Sequence, residues 1–304
     1  MIYILCNPTA GGGRASEALQ RLRAHLQKRG IQAQIGLSEY HGHTLELVAQ
    51  AVAQGHTRIF TLGGDGTVHE AINGLANANA LEQAALGFLP GGTGNDFTRN
   101  LGLSQDILEA FDALYDGEEA LVDLWRANDR HFVNVFGLGL DTALDGWSRK
   151  TKKVLRGMPA YIAALMLTLV GFRFPDVTLT VDGVPMHRRV TVLTASNGRY
   201  YGGGIDVAPS ARLQDGKLHL VLINRVNKLL IPMLLLKYIT GRHIQEVPQC
   251  EYLTASRLTL QADGELLCET DGELALRPPV TLEPALTRLR TLVPLRWAAR
   301  PEGV

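Results

Sequence analysis

From Met1 to about Leu124, short β-branched or apolar runs alternate with stretches whose apolar residues recur every three or four positions. That alternation of a strand period with a helix period predicts a parallel α/β sheet. Strands are expected at Ile2 to Cys6, Ile31 to Leu37, Arg58 to Leu62, Leu86 to Leu89 and near Ala120 to Leu124. The helix stripes read Ala15, Leu19, Leu22 and Leu26, then Leu45, Val48, Ala49 and Val52, then Val68, Ile72 and Leu75, and finally Ile107, Leu108, Phe111 and Leu114. Lys28-Arg29-Gly30 supplies the first helix with basic residues and a glycine at its C-terminus.

Beyond Trp125 the texture changes. Strand-like runs at Phe132 to Phe136, Val177 to Val181, Val190 to Ala195, Leu218 to Ile223 and Leu258 to Ala262 are separated by the turn pairs Asp182-Gly183, Asp215-Gly216 and Asp263-Gly264. This predicts an antiparallel β domain. Two helical insertions interrupt it, Thr151 to Gly171 and Lys228 to Thr240, and both are more apolar than one buried face requires. The resulting division is an α/β nucleotide-binding domain at 1–124 and a β-rich substrate domain at 125–285, with 286–304 returning to complete the first through Leu289 to Leu295.

The chain has 304 residues, enough for two domains, and its thirty basic and thirty acidic side chains cancel. No global field points to nucleic acid. Cys6, Cys250 and Cys268 lack metal-ligand spacing and form an odd set, which favours a reducing cytoplasm. The nine histidines show no metal spacing either. The N-terminus has no positive run before its apolar stretch, so no export is expected. Tyr161 to Phe172 falls short of the roughly twenty residues a spanning helix needs. A basic cluster, Arg149, Lys150, Lys152, Lys153 and Arg156, precedes that stretch, and Leu229 to Leu236 is a second apolar run. Basic beside apolar suggests a peripheral membrane contact, against the simpler reading of a charge run beside a core helix.

Three glycine-rich loops each follow a strand and precede a helix, at the sheet edge where open α/β sheets bind ligands. The first, Asn7-Pro8-Thr9-Ala10-Gly11-Gly12-Gly13-Arg14, lacks the Gly-Lys-Ser/Thr ending of a Walker A loop and is weak alone. Gly63-Gly64-Asp65-Gly66-Thr67 sets a carboxylate inside a glycine turn, where it can hold Mg²⁺ beside phosphates; the competing role is a cap on a helix starting at Thr67. Val68, His69, Glu70 and Asn73 follow on that helix, the last two spaced to aim polar groups back at the site. Gly91-Gly92-Thr93-Gly94-Asn95-Asp96-Phe97 joins free backbone to three hydrogen-bonding side chains, with Asn95 or Asp96 as helix N-cap. Backbone N–H groups in such loops, together with the helix N-termini, form an anion cradle. Ser38, after the second strand, lies at the same edge and can reach a ribose or adenine.

Taken in order, Asn-Pro-x-x-Gly, Gly-Gly-Asp-Gly-Thr-x-x-Glu-x-x-Asn and Gly-Thr-Gly-Asn-Asp-Phe resemble the diacylglycerol kinase catalytic domain. Gly137-Leu138-Gly139-Leu140-Asp141, Asn197-Gly198 with Gly202-Gly203-Gly204, Pro209 through Gly216, and Asp271-Gly272-Glu273 resemble the soluble bacterial lipid kinases of that family. The likeness covers nearly the whole chain; the Gly-Gly-Asp-Gly-Thr element alone is shared with NAD kinases and phosphofructokinases.

The resemblance implies a fold of the NAD kinase/diacylglycerol kinase type followed by a β-sandwich, and transfer of the γ-phosphate of ATP to the hydroxyl of a lipid such as diacylglycerol or phosphatidylglycerol. It implies ATP and Mg²⁺ as cofactors, held by Asn7, Pro8, Gly11, Ser38, Gly63, Gly64, Asp65, Gly66, Thr67, Val68, His69, Glu70, Gly92, Thr93, Gly94, Asn95 and Asp96. Relatives mostly carry threonine where Ser38 stands. Asp65 and Glu273 are implied as the catalytic pair, with Glu273 taking the proton of the lipid hydroxyl. Arg212, Asp215 and Lys217 are implied as ligands of a second, structural Mg²⁺, although Gln214 replaces an acid common in relatives; a type I′ turn at Asp215-Gly216 competes with that site. The implied partners are ATP and a membrane lipid at the inner face of the membrane, with a homodimer left open. A NAD, sugar or sphingosine-type kinase and a catalytically silent nucleotide or lipid binder are the alternatives.

Overall fold

The computed structural model describes residues 1–144, 158–262, 264, 266–295 and 297. The first sheet has the order β2-β1-β3-β4-β19-β5, from β1 (Ile2–Cys6), β2 (Ala33–Leu37), β3 (Arg58–Gly63), β4 (Ala85–Pro90), β5 (Glu118–Val122) and β19 (Leu289–Val293). Strands β1 to β4 are parallel, β19 joins β4 in parallel, and β5 closes the edge antiparallel to β19. Helices α1 (Arg14–Arg29), α2 (His43–Ala53), α3 (Asp65–Asn77), α4 (Asp96–Asn100) and α5 (Ile107–Tyr115) connect these strands. Strands β1 and β4 read as unbroken apolar runs, and β3 is buried from Ile59 to Gly63 with Thr61 as its one polar residue, because both faces of a helix-covered sheet are buried. The buried stripe of α2 is Thr44, Leu47, Val48 and Ala51, turned from the expected Leu45, Val48, Ala49 and Val52 because this helix also packs against α3, where Val48 Cγ1 lies 2.4 Å from the place a Cβ on Gly74 would occupy.

The second half is built on β10 (Val184–Ser196), whose thirteen residues belong to two sheet regions. Its first half pairs with β9 (Asp176–Val181), its second with β8 (Val135–Gly139) and β13 (Leu218–Asn224), and the register shifts between Val190 and Val192. Such a bulge lets one strand bend from one layer into the other. Between the layers lie Trp125, Phe132, Phe136, Leu193, Leu220 and Leu222. The opposite face of β13, through Val221 and Ile223, is covered by α6 (Met158–Gly171) and α7 (Ile231–Ile239). This explains why both insertions are so apolar: each packs on a sheet face that would otherwise be wet.

The expected strand Phe132 to Phe136 is two strands, β7 (Arg130–Phe132) and β8. The break has a physical cause, since the N–H groups of Val133, Asn134 and Val135 donate to the Asp271 carboxylate instead of a neighbouring strand. Asp271 and Gly272 both have positive φ (51° and 87°), as a type I′ hairpin demands, and join β16 (Cys268–Thr270) to β17 (Glu273–Leu276). At Asp215-Gly216 only the glycine has positive φ, so that turn is not type I′. The basic cluster from Arg149 to Arg156 and the Asp263 half of Asp263-Gly264 lie outside the described residues.

Candidate active site

The glycine loops after β1, β3 and β4 meet at one sheet edge, packed too closely for side chains. A Cβ on Gly92 would lie 2.3 Å from the Gly64 Cα, and one on Gly11 would lie 2.6 Å from the Gly91 carbonyl oxygen. Glycine is required here by backbone-on-backbone contact. Asn7 Nδ2 donates to Thr67 Oγ1 at 3.4 Å, linking the first loop to α3. Arg14, which the sequence reading left outside the site, donates through Nε to the Gly11 carbonyl (2.9 Å) and through Nη2 to the Gly92 carbonyl (3.0 Å) and Thr93 Oγ1 (3.1 Å). One guanidinium thus fixes the first loop to the third and brings a positive charge to the cradle. The only local signal was a basic residue opening α1 immediately after three glycines.

Asp65 is the first residue of α3, with Gly64 at the N-cap, so it does not cap a helix beginning at Thr67. Its Oδ1 accepts from Asp96 N at 2.8 Å and Phe97 N at 3.4 Å, while Oδ2 lies 2.7 Å from the place a Cβ on Gly94 would occupy. Burial, and then the neighbouring Asp96 charge, push its carboxyl up to about 6. A carboxylate whose charge is disfavoured beside two helix N-termini suits a site that receives a divalent cation.

The expected capping roles in the third loop are redistributed. Asn95 occupies the N-cap of α4 in a left-handed conformation, but its Oδ1 accepts from Gly92 N at 2.8 Å and closes the loop on itself. Asp96 reaches across to the second half of the chain, accepting from Gly203 N and Gly204 N at 2.9 and 2.6 Å. Glu70 accepts from Gly42 N at 3.0 Å, and Asn73 clasps His131, donating to its carbonyl and accepting from its N–H. Glu70 fastens the Gly42 loop, and Asn73 the strand β7, to α3. Ser38 is buried, Val68 packs into the core, and the Nδ1 of buried His69 lies 3.5 Å from Asp271 Oδ2.

Glu273 arrives from the distant hairpin. Its Oε1 is 3.0 Å from the place a Cβ on Gly66 would occupy, so the last glycine of the Gly-Gly-Asp-Gly-Thr element, in the first turn of α3, is the floor on which this carboxylate rests. Asp271 holds the hairpin in place by accepting three backbone N–H groups at 2.9 to 3.1 Å. Asp215 is occupied locally: Oδ1 accepts from Lys217 N at 3.0 Å and Oδ2 pairs with His219 Nε2 at 2.8 Å. Asp123, which was not singled out from sequence, accepts from Gly216 N at 2.6 Å on the same turn.

A cavity of about 680 Å³ opens from this site. Asp65, Thr93, Gly94, Asp96, Asp271 and Gly272 belong to its wall, and so do apolar side chains of β10, β13, α6 and α7, among them Leu165, Val192, Ile223, Leu234 and Leu235.

Residues 1–127 match the model of the diacylglycerol kinase catalytic domain, and residues 134–293 match that of the YegS C-terminal NAD kinase beta sandwich-like domain. The chain belongs to the diacylglycerol kinase-like lipid kinase family. A diacylglycerol kinase of Bacillus subtilis (strain 168) is 27% identical over 271 residues, covering 89% of this chain and 88% of its own. A diacylglycerol kinase of Staphylococcus carnosus (strain TM300) is 26% identical over 270 residues, covering 89% and 87%. A crystal structure of a Bacillus anthracis str. Sterne protein assigned as a diacylglycerol kinase superposes with a TM-score of 0.78 at 26% identity, over 96% of this chain and 97% of that one. The likeness thus spans both halves, as expected for an α/β domain followed by a β-sandwich.

Proposed function

We propose that this chain is an ATP- and Mg²⁺-dependent lipid kinase that transfers the γ-phosphoryl group to the hydroxyl of a lipid, with ATP on the α/β half and the lipid in the cavity of the β half. The observation that carries the reading is the continuity of that cavity, whose wall includes both the phosphate-loop residues Asp65, Thr93 and Gly94 and a long apolar lining. A sugar or dinucleotide acceptor would leave such a lining without a purpose; an acyl chain fills it.

Each part then has work suited to its chemistry. The backbone N–H groups of the glycine loops and the N-terminus of α3 bind phosphate oxygens, and Arg14 adds a fixed cation. Mg²⁺ is ordinarily held by one or two carboxylates together with the phosphates, and the disfavoured charge of Asp65 fits that donor set. Bound there, the ion would neutralise charge on the transferred group. Glu273 receives the proton of the lipid hydroxyl. A second, structural Mg²⁺ would sit at Asp215 with the Arg212 and Lys217 carbonyls; the Asp215 oxygens meet Lys217 N and His219 Nε2 and each keeps a further lone pair for the ion. The exposed faces of α6 and α7, with Val170 on α6, Leu236 on α7 and Leu229 in the turn just before α7 at 85%, 66% and 86% exposure, are suited to resting on a bilayer while the inner faces of the helices line the cavity. Among the described residues no helix is long and apolar enough to cross a membrane.

The test is a series of alcohol acceptors sharing one headgroup and differing in acyl length, assayed with ATP-Mg²⁺. Burial of each methylene is worth about 0.8 kcal/mol, so kcat/KM should climb about fourfold per methylene until the cavity is filled. Equal rates for a water-soluble short-chain acceptor and its long-chain homologue would overturn the reading.

A further inference from the structure

The apolar cavity contains a polar group that phosphoryl transfer leaves unused. Asp141, just beyond β8, lies on its wall; Oδ1 accepts from Thr142 N at 2.9 Å, while Oδ2 is buried with no hydrogen-bond partner. Glu269, on β16, faces it. A Cβ on Gly137 would stand 3.1 Å from Asp141 Oδ2 and 3.0 Å from Glu269 Oε1, so the two carboxylates flank the space that a side chain at 137 would fill. Glu269 accepts from the Tyr201 hydroxyl, and Tyr201 lines the same cavity.

A second, independent orphan faces the same space. Tyr238, on α7, is only 8% exposed and lines the cavity, and its hydroxyl lies beside Thr194 with neither hydroxyl completing a hydrogen bond. Unpartnered buried polar atoms are costly and mark places where a ligand supplies the missing partner. Burial pushes the Asp141 carboxyl up to about 6, and burial with the Asp141 and Glu269 charges raises the Tyr238 hydroxyl further. Among the described residues that line the cavity, none is lysine, arginine or histidine.

We infer that Asp141, Glu269 and Tyr238 form a headgroup subsite that binds a second hydrogen-bond donor, a hydroxyl or an ammonium, carried by the lipid beside the hydroxyl to be phosphorylated. The inference rests on the lipid kinase reading and names its substrate class. Glu269 stands two residues before the Asp271-Gly272 turn, a span of about 7 Å on an extended strand, which a donor a few bonds from the reacting oxygen can bridge. Ionised carboxylates accept only. Beside its reacting hydroxyl a diacylated glycerol presents only ester oxygens, which also only accept. Lipids with a free second hydroxyl or amine beside the reacting hydroxyl, such as a monoacylglycerol, a 2-amino alcohol or a phosphatidylglycerol, satisfy the site.

The experiment compares initial rates of the full-length protein on four lipids of matched chain length in mixed micelles: a monoacylglycerol, a long-chain 2-amino alcohol, a diacylglycerol and a phosphatidylglycerol. The expected result is a kcat/KM at least about tenfold higher for the preferred one of the three donor-bearing lipids than for diacylglycerol. Asp141→Asn should lower that ratio about tenfold, and Tyr238→Phe, which removes a single oxygen, should move it the same way. Because an amide still accepts from a hydroxyl but no longer pairs with a cation, a larger loss on the amino alcohol identifies the ammonium and a uniform loss on all three identifies the hydroxyl. A wild-type preference for diacylglycerol, or a ratio unchanged in both variants, would overturn the subsite while leaving the kinase reading intact. Absence of label in all four lipids would overturn the kinase reading and the subsite with it.

Discussion

Asp65→Asn is expected to lower phosphoryl transfer by about a thousandfold or more while leaving a folded protein. The amide keeps an oxygen for the N–H groups of Asp96 and Phe97, so the contact between the second and third loops survives. What disappears is the negative charge at the N-terminus of α3, the charge suited to organise a cation against the phosphates. The same variant has a signature in stability. A carboxyl raised to about 6 in the fold binds a proton more tightly there than in the unfolded chain, where it titrates near 4. The folded wild type therefore holds the extra proton between about pH 4 and 6, and stability falls as pH rises through that window. Water in the cleft screens the charge, so the loss should be about 1–2 kcal/mol relative to Asp65→Asn. Urea unfolding of both proteins at pH 4 and pH 7, without nucleotide or metal, measures it. Equal pH dependence in the two proteins would remove the case for a disfavoured charge at Asp65.

Glu273→Gln should reduce kcat by about 10² to 10⁴, the usual worth of a positioned base. The side chain rests against Gly66 at the end of a hairpin held by Asp271, so the isosteric amide occupies the same place without disturbing the turn. Because the lost interaction is with a proton that moves during transfer, kcat should fall with little change in the KM for ATP. A loss expressed mainly as a raised KM would recast Glu273 as a binding residue. Asp271 makes a poor substitute target, since its carboxylate is a structural acceptor for three backbone N–H groups and its removal would release the hairpin.

The two halves of the site were unequally legible in the chain. The glycine loops stand out because close backbone packing demands them: a Cβ on Gly92 would collide with the Gly64 Cα, so only glycine fits at 92. Strands β1 and β4 show themselves as unbroken apolar runs because the sheet is covered on both faces. By contrast, the break between β7 and β8 at Val133-Asn134 depends on a carboxylate 138 residues downstream from Val133, and nothing in the run Phe132 to Phe136 announces it. Arg14 was visible as a basic residue after three glycines, but its purpose exists only once the third loop is folded against the first. Glu70 and Asn73 carry the spacing of site residues, but their contacts with Gly42 and with His131 on β7 exist only once α3 is packed against those segments. Helical spacing fixes the face on which a polar group stands; the neighbouring element decides what it binds.

The measurement that tests the central claim most directly is transfer of label from γ-labelled ATP in the presence of extracted membrane lipids and Mg²⁺, followed by mass spectrometry of the labelled product. The account predicts label in the organic phase, in a lipid heavier than its precursor by one phosphoryl group. Label confined to a water-soluble product, or no label beyond ATP itself, would contradict it.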